Sequence, residues 1–129
     1  MRTGSAFIIA ATRSGSGKTL LSLGIMAALD RRGLKVGPFK CGPDFIDPTL
    51  HRLVVASDSD NLDLFMMGEE CCRRIFDRNA AGVDVRVVEG VMGLFDGGEA
   101  STAALAKSLD LPVLLVVDAR SAAESVAAV

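Results

Sequence analysis

The chain has 129 residues, half of them hydrophobic, and 14 basic against 16 acidic residues leave a net charge of −2. That length suggests one domain with ample material for a core. The near-neutral balance speaks against nucleic acid, whose footprint is a basic patch, and no apolar stretch is long enough to span a bilayer.

The N-terminus lacks a signal-peptide pattern: Arg2 is followed by small residues and then by an apolar run. Cys41, Cys71 and Cys72 form no metal-ligand spacing. They read as reduced thiols of a cytoplasmic protein, mostly filling space.

Ala6 to Ala10 is a continuous apolar run that predicts a strand. A Gly-rich loop follows, Thr12-Arg13-Ser14-Gly15-Ser16-Gly17-Lys18-Thr19, and then a helical pattern from Lys18 to Arg32. Strand, Gly-rich loop, Gly-Lys-Thr and helix is the arrangement of a P-loop, which binds a nucleoside triphosphate. The glycines let backbone N–H groups face the phosphates, and the helix N-terminus adds partial positive charge. Thr12, Ser14, Gly15, Ser16, Gly17, Lys18, Thr19 and Leu20 are the candidate nucleotide-binding residues. Lys18 would reach the β- and γ-phosphates, and the Thr19 hydroxyl would bind Mg²⁺. Thr12 stands where the usual G-x-x-x-x-G-K-[ST] pattern has its first glycine, so the loop is a variant. The bland alternative is a Ser- and Gly-rich turn that binds nothing; the flanking strand and helix argue against it. Gly33 sits where a helix C-terminal glycine belongs.

Leu34 to Lys40 predicts a second strand, with Pro38 placing it near an edge. In the loop Cys41 to Pro48, Asp47 is the expected N-cap and Pro48 the first residue of a short helix running to about Val55. Ser57 to Asn61 reads as a loop. Phe65, Met66 and Met67 read as core filling. Gly68 to Ala80 predicts a helix, Val83 to Glu89 a third strand, Ser101 to Leu109 a helix capped by Ser101 or Thr102, Leu111 to Val117 an apolar strand, and Ser121 onward another helix that reaches Val129 without a stop signal. That unclosed end suggests a truncated piece of a longer enzyme. Alternating strands and helices imply an α/β fold, a P-loop NTPase-type parallel sheet with helices on both faces.

Ligands of such sheets sit at the carboxyl ends of the strands. Val85-Arg86-Val87-Val88-Glu89 is an apolar strand ending in a carboxylate suited to Mg²⁺; the alternative is simply an acidic strand end. Lys40 could neutralise transferred phosphate charge or be an exposed lysine. Asp44 and Asp47 could serve a metal and a substrate, or cap a turn and a helix. Asp96, beside Gly97-Gly98, suits a site loop. His51, the only histidine, reads as a surface or helix-packing residue that lies near the site; no catalytic triad is supported.

Phe39-Lys40-Cys41-Gly42-Pro43-Asp44-Phe45-Ile46-Asp47-Pro48, Asn61-Leu62-Asp63, Glu89-Gly90-Val91-Met92-Gly93-Leu94-Phe95-Asp96-Gly97 and Leu114 to Arg120 resemble, in order and over essentially the whole chain, the cobyrinic acid a,c-diamide synthase family. The resemblance implies an N-terminal domain similar to dethiobiotin synthetase. It would use ATP to activate the a and c carboxylates of a corrinoid as acyl phosphates, which ammonia from glutamine converts to amides. By the same resemblance Thr19, Asp44 and Glu89 match metal-binding positions, Lys18 and Lys40 the active-site lysines, and Asp47 and Asp96 positions that orient substrate or handle the intermediate. The partners implied are a corrinoid substrate and a glutaminase domain, which this chain lacks; a homodimer is left open. Ala11 stands where many relatives have Gly. Arg13 falls where partition and septum-positioning ATPases carry a signature lysine. Other readings are the nickel-sirohydrochlorin amidating paralogue, a dimeric P-loop switch and an inactive domain.

Overall fold

A computed structural model describes residues 4–128. The expectations resting on Arg2 and Val129 lie outside the described residues. Five strands form one sheet: β1 (Ser5–Ala11), β2 (Val36–Cys41), β3 (Asp60–Leu62), β4 (Val85–Gly93) and β5 (Val113–Val116). They stand in the order β3-β2-β4-β1-β5, and every pairing is parallel. The helices are α1 (Lys18–Arg31), α2 (Ile46–Val54), α3 (Leu64–Met67), α4 (Glu69–Arg78) and α5 (Thr102–Ser108), with 3₁₀ turns at Gly98–Ala100 and Glu124–Ala128.

The strands are apolar without a polar alternation because both faces are covered. Ile8, Phe39 and Val88 join Cys72 and Phe76 of α4 and Leu105 and Ala106 of α5. Their strand neighbours Ile9, Val85 and Val87 point the other way and join Met26 of α1 and Val55 at the end of α2. The expected α/β sheet of P-loop type, with helices on both faces, is therefore the fold.

After β1 the chain crosses to β2 on one side of the sheet, and after β4 it crosses to β5 on the other. The order reverses between β1 and β4, and a crevice opens at such a switch point. There the β1–β4 ladder changes register: Ile9 pairs with Glu89, but Ala11 pairs with Gly93. Gly90, Val91 and Met92 bulge out, which re-aims the chain just after Glu89. A Cβ on Gly90 would lie 2.7 Å from the Ile9 carbonyl oxygen and 2.7 Å from Thr102 Cγ2, so glycine is required by close approach. Thr102 Oγ1 pins the bulge by accepting from Val91 N at 2.9 Å.

Several expectations are corrected. Asp47 does not cap the second helix. Asp44 Oδ1 accepts from the N–H groups of Ile46 and Asp47, at 2.7 and 3.3 Å, so α2 starts two residues early and Asp47 falls inside its first turn. The segment read as a loop contains β3, three residues paired with β2 from Phe39↔Asp60 to Cys41↔Leu62; so short a strand has no readable period. Pro38 precedes that ladder and has no β3 partner, which is how a proline fits a strand with neighbours on both sides. Phe65 and Met66 are 87% and 73% exposed, not core. They sit on the four-residue α3 beyond β3, from which Leu64 packs against the core. The segment after Ser121, expected as a helix, is a five-residue 3₁₀ turn over Glu124–Ala128 among the described residues. Ser101 is the cap of α5, accepting from Ala104 N. β5 is an edge strand whose Leu114 is 42% exposed.

Candidate active site

The P-loop joins β1 to α1. Gly15 and Gly17 take φ values of 78° and 87°, a left-handed region that other residues enter only with strain. The turn is tightened by Ser16 Oγ, which donates to the Arg13 carbonyl at 3.0 Å. Ser14, Gly15, Gly17, Lys18, Thr19 and Leu20 line a cleft of about 460 Å³. A larger cavity, about 600 Å³, lies to one side at Leu64, Phe65, Gly97 and Ala104. Its titratable side chains, Glu69 and Glu99, are exposed, so the chemistry belongs at the loop.

Lys18 reaches across the loop and donates from Nζ to the Met92 carbonyl at 3.1 Å, an oxygen that the β4 bulge supplies. Burial, and then the charge of Lys40, lower its pKa from the ordinary lysine value.

Beside it lies a buried polar cluster built on Glu89, which is 0% exposed. Lys40 and Glu89 are paired residues of β2 and β4, so both side chains emerge on the α1/α2 face. Thr19 Oγ1 donates to Glu89 Oε2 at 3.0 Å. Lys40 Nζ donates to the same oxygen at 3.1 Å and to the Gly90 carbonyl at 2.8 Å. Lys40 also pairs with Asp47 Oδ2 at 2.8 Å. His51 Nε2 lies 2.8 Å from Glu89 Oε1.

These contacts set the charges. Burial pushes Glu89 up, but the bonds from His51 and Lys40, with the Lys40 charge, outweigh it and hold the carboxyl at about 2. Burial and the neighbouring Glu89 carboxylate push Asp47 up. Burial alone would lower Lys40, yet Glu89 and Asp47 hold it above its ordinary value. At neutral pH the cluster is an ionised Glu89 against a charged Lys40.

The structure brings Lys18, Thr19, Lys40, Asp47 and Glu89 together. It does not bring Asp44 into that cluster: among the described residues no hydrogen bond or ion pair links Asp44 to Thr19 or Glu89, and its Oδ1 serves the start of α2. Asp96 stands apart in the loop after β4, where Oδ2 accepts from Gly93 N at 2.9 Å. Arg13 lies 3.7 Å from Asp118 beyond the end of β5. The cradle of left-handed glycines suits phosphate, and a hydroxyl beside an ionised carboxylate is a hard oxygen donor set suited to Mg²⁺.

Two members of the site were not legible as such. His51 was expected near the site, but as a surface or helix-packing residue; it is fully buried and faces Glu89 directly. Its spacing carried a signal, because Asp47 and His51 lie four apart and share one helix face. The Met92 carbonyl gave no signal, since a backbone oxygen has no residue code.

Residues 7–129 match the family described as CobQ/CobB/MinD/ParA nucleotide binding domain. The chain is 53% identical over 126 residues to a cobyrinate a,c-diamide synthase of Caldanaerobacter subterraneus, covering 95% of this chain and 28% of that protein. It is 54% identical over 126 residues to a hydrogenobyrinate a,c-diamide synthase of Streptomyces coelicolor, covering 94% of this chain and 26% of that protein. A cobyrinate a,c-diamide synthase of Haloarcula marismortui is 51% identical over 122 residues, 95% of this chain and 27% of that protein. The chain thus spans about a quarter of the length of these relatives.

Proposed function

The chain belongs to the CobQ/CobB/MinD/ParA nucleotide binding domain family, and from that premise we propose that it is the ATP-binding synthetase part of a corrinoid a,c-diamide synthase. The reaction is amidation of the a and c side-chain carboxylates of a cobyrinate-type acid. The relatives are named for cobyrinate and for hydrogenobyrinate, so the substrate class is a corrinoid acid with or without cobalt. The observation that carries the reading is the pair of buried lysines, Lys18 and Lys40, converging beside Thr19 and Glu89 at the mouth of a P-loop.

A carboxylate resists attack by ammonia because its oxygen is a poor leaving group. When bound with Mg²⁺, ATP would supply its γ-phosphoryl group to that oxygen and leave as ADP, so that the oxygen could later depart as part of phosphate. The resulting acyl phosphate takes up ammonia at carbon, and inorganic phosphate departs. The chain's own work is positioning and charge neutralisation. Gly15 and Gly17 open the loop backbone to phosphate oxygens. Lys18 and Lys40 offset the charge of the group in transit. Thr19 and Glu89 would hold Mg²⁺, with Asp44 completing the set. Asp47 fixes the Lys40 head, and Asp47 and Asp96 orient the substrate carboxylate or guard the intermediate. Ammonia comes from glutamine hydrolysed in a glutaminase domain beyond this segment, in the cytoplasm.

The competing switch-ATPase reading prefers a lysine at position 13 and an aspartate at the end of the third expected strand, where this chain has Arg13 and Glu89. The test is ATP- and Mg²⁺-dependent amide formation on cobyrinic acid by the full-length enzyme, with ammonia replacing glutamine. Lys18→Ala should abolish it. Turnover that survives this change would sink the assignment.

A further inference from the structure

We propose that His51 is a positioning residue that acts through Glu89: it fixes one carboxylate oxygen so that the other is presented to Thr19 and to Mg²⁺. The inference rests on the reading of Thr19 and Glu89 as metal ligands given above.

The helix that carries His51 is oriented in an unusual way. α2 buries Pro48 and His51 while leaving Ile46 and Leu53 72% and 77% exposed. A helix serving only to cover the sheet would turn leucine inward and histidine outward. Burying an imidazole is costly unless its nitrogens are partnered, and here both are. Nε2 faces Glu89 Oε1 at 2.8 Å, and Nδ1 lies 2.7 Å from Ser59 Oγ. An ionised carboxylate only accepts, so Nε2 carries the proton; in the neutral ring Nδ1 accepts from the Ser59 hydroxyl.

The ring is thereby held at both edges, and it divides the work of the carboxylate. Oε1 is tied to α2. Oε2 takes the donors from α1 and β2, Thr19 at 3.0 Å and Lys40 at 3.1 Å. The terminal torsion of glutamate is broad, so without His51 the carboxylate loses its only Oε1 anchor among the described residues, and its orientation rests on Thr19 and Lys40 at Oε2 alone. His51 itself is 0% exposed. It cannot touch a substrate, and its effect must pass through Glu89. Hydrogen-bonded partners of ligating carboxylates typically govern about 10- to 100-fold in metal affinity.

The experiment is a Mg²⁺ titration of binding of a non-hydrolysable ATP analogue to the full-length protein, alongside thermal melting. His51→Leu should raise the Mg²⁺ needed for half-maximal binding by about 10- to 100-fold. His51→Gln, whose amide can donate from near the Nε2 position, should recover most of the loss. Ser59→Ala, a half-buried hydroxyl less critical to folding, should shift the requirement in the same direction by a smaller factor. A folded His51→Leu with the wild-type Mg²⁺ requirement overturns the proposal. If that variant does not fold, an unchanged Ser59→Ala overturns it instead.

A second readout uses nitrogen NMR of the full-length protein, in which the His51 imidazole is assigned as the spin system that His51→Gln removes. It should show the Nε2–H tautomer and shift when Mg²⁺ and analogue are added together, but not with analogue alone. An Nδ1–H tautomer overturns the proposal on its own. An Nε2–H tautomer in a wild-type protein that binds nucleotide without regard to Mg²⁺ fails the metal reading, and the proposal falls with it while the His51–Glu89 bond stands.

Discussion

Lys40 and Glu89 face each other across adjacent strands, Nζ to Oε2 at 3.1 Å, with side chains 4% and 0% exposed. The parallel register that pairs their Cα atoms makes this contact unavoidable once β2 and β4 align. The two charges are mutually dependent: Glu89 without Lys40 would be a buried anion that has lost its bonded lysine, and Lys40 without Glu89 would keep only Asp47.

Removing one partner should therefore cost more than removing both. Lys40→Met is expected to destabilise the chain by about 3–5 kcal/mol, because Glu89 and Asp47 lose their cation. Combining it with Glu89→Gln should cost clearly less than the sum of the single changes. Urea denaturation of the double-mutant cycle measures the coupling; additive losses would contradict a buried, interdependent pair.

The same pair gives a signed pH dependence. Glu89 stands at about 2 in the folded chain against an ordinary 4.5. A depressed carboxyl stabilises the fold fully above its unfolded value, and that contribution drains away as pH falls toward the folded one. The gap corresponds to on the order of 3 kcal/mol. Asp47 is shifted the opposite way and offsets part of the change. The stability difference between wild type and Glu89→Gln should be largest near neutral pH and shrink as pH falls from about 4.5 to about 2. A difference that stays constant over that window would show that the Glu89 charge is not what stabilises the site.

Asp44 offers a separation of roles. Its cap on α2 should be worth about 0.5–2 kcal/mol, lost in Asp44→Ala and kept in Asp44→Asn, because asparagine caps as well as aspartate. If Asp44 also serves Mg²⁺, Asp44→Asn will keep the wild-type melting temperature and still require more Mg²⁺ for nucleotide binding. An unchanged Mg²⁺ requirement would leave Asp44 as a helix cap alone.

The fold was legible because its signals are local. Gly33 marks the end of α1 at φ 84°, Ser101 caps α5, and the Val85–Glu89 run is apolar because it is covered on both faces. The three residues of β3 and four of α3 were not legible, since neither spans enough positions to show a period. Phe65 and Met66 misled for a related reason: hydrophobicity states what a side chain prefers, not whether a layer lies above it.

The amino-acid sequence by itself determined the P-loop, the parallel α/β class and the identity of the lysines and carboxylates, because each depends on neighbours within a few residues. Tertiary structure decided which of them meet. Sheet order and register, fixed by packing across the whole chain, set Lys40 beside Glu89 and set Met92 within reach of Lys18. The start of α2, moved by Asp44, freed Asp47 for Lys40 and turned His51 inward. A one-dimensional pattern holds the donors and acceptors of a site, but the partners of Lys18, Thr19 and Glu89 are chosen by contacts between residues 38 to 74 positions apart, whose geometry exists only after the sheet has formed.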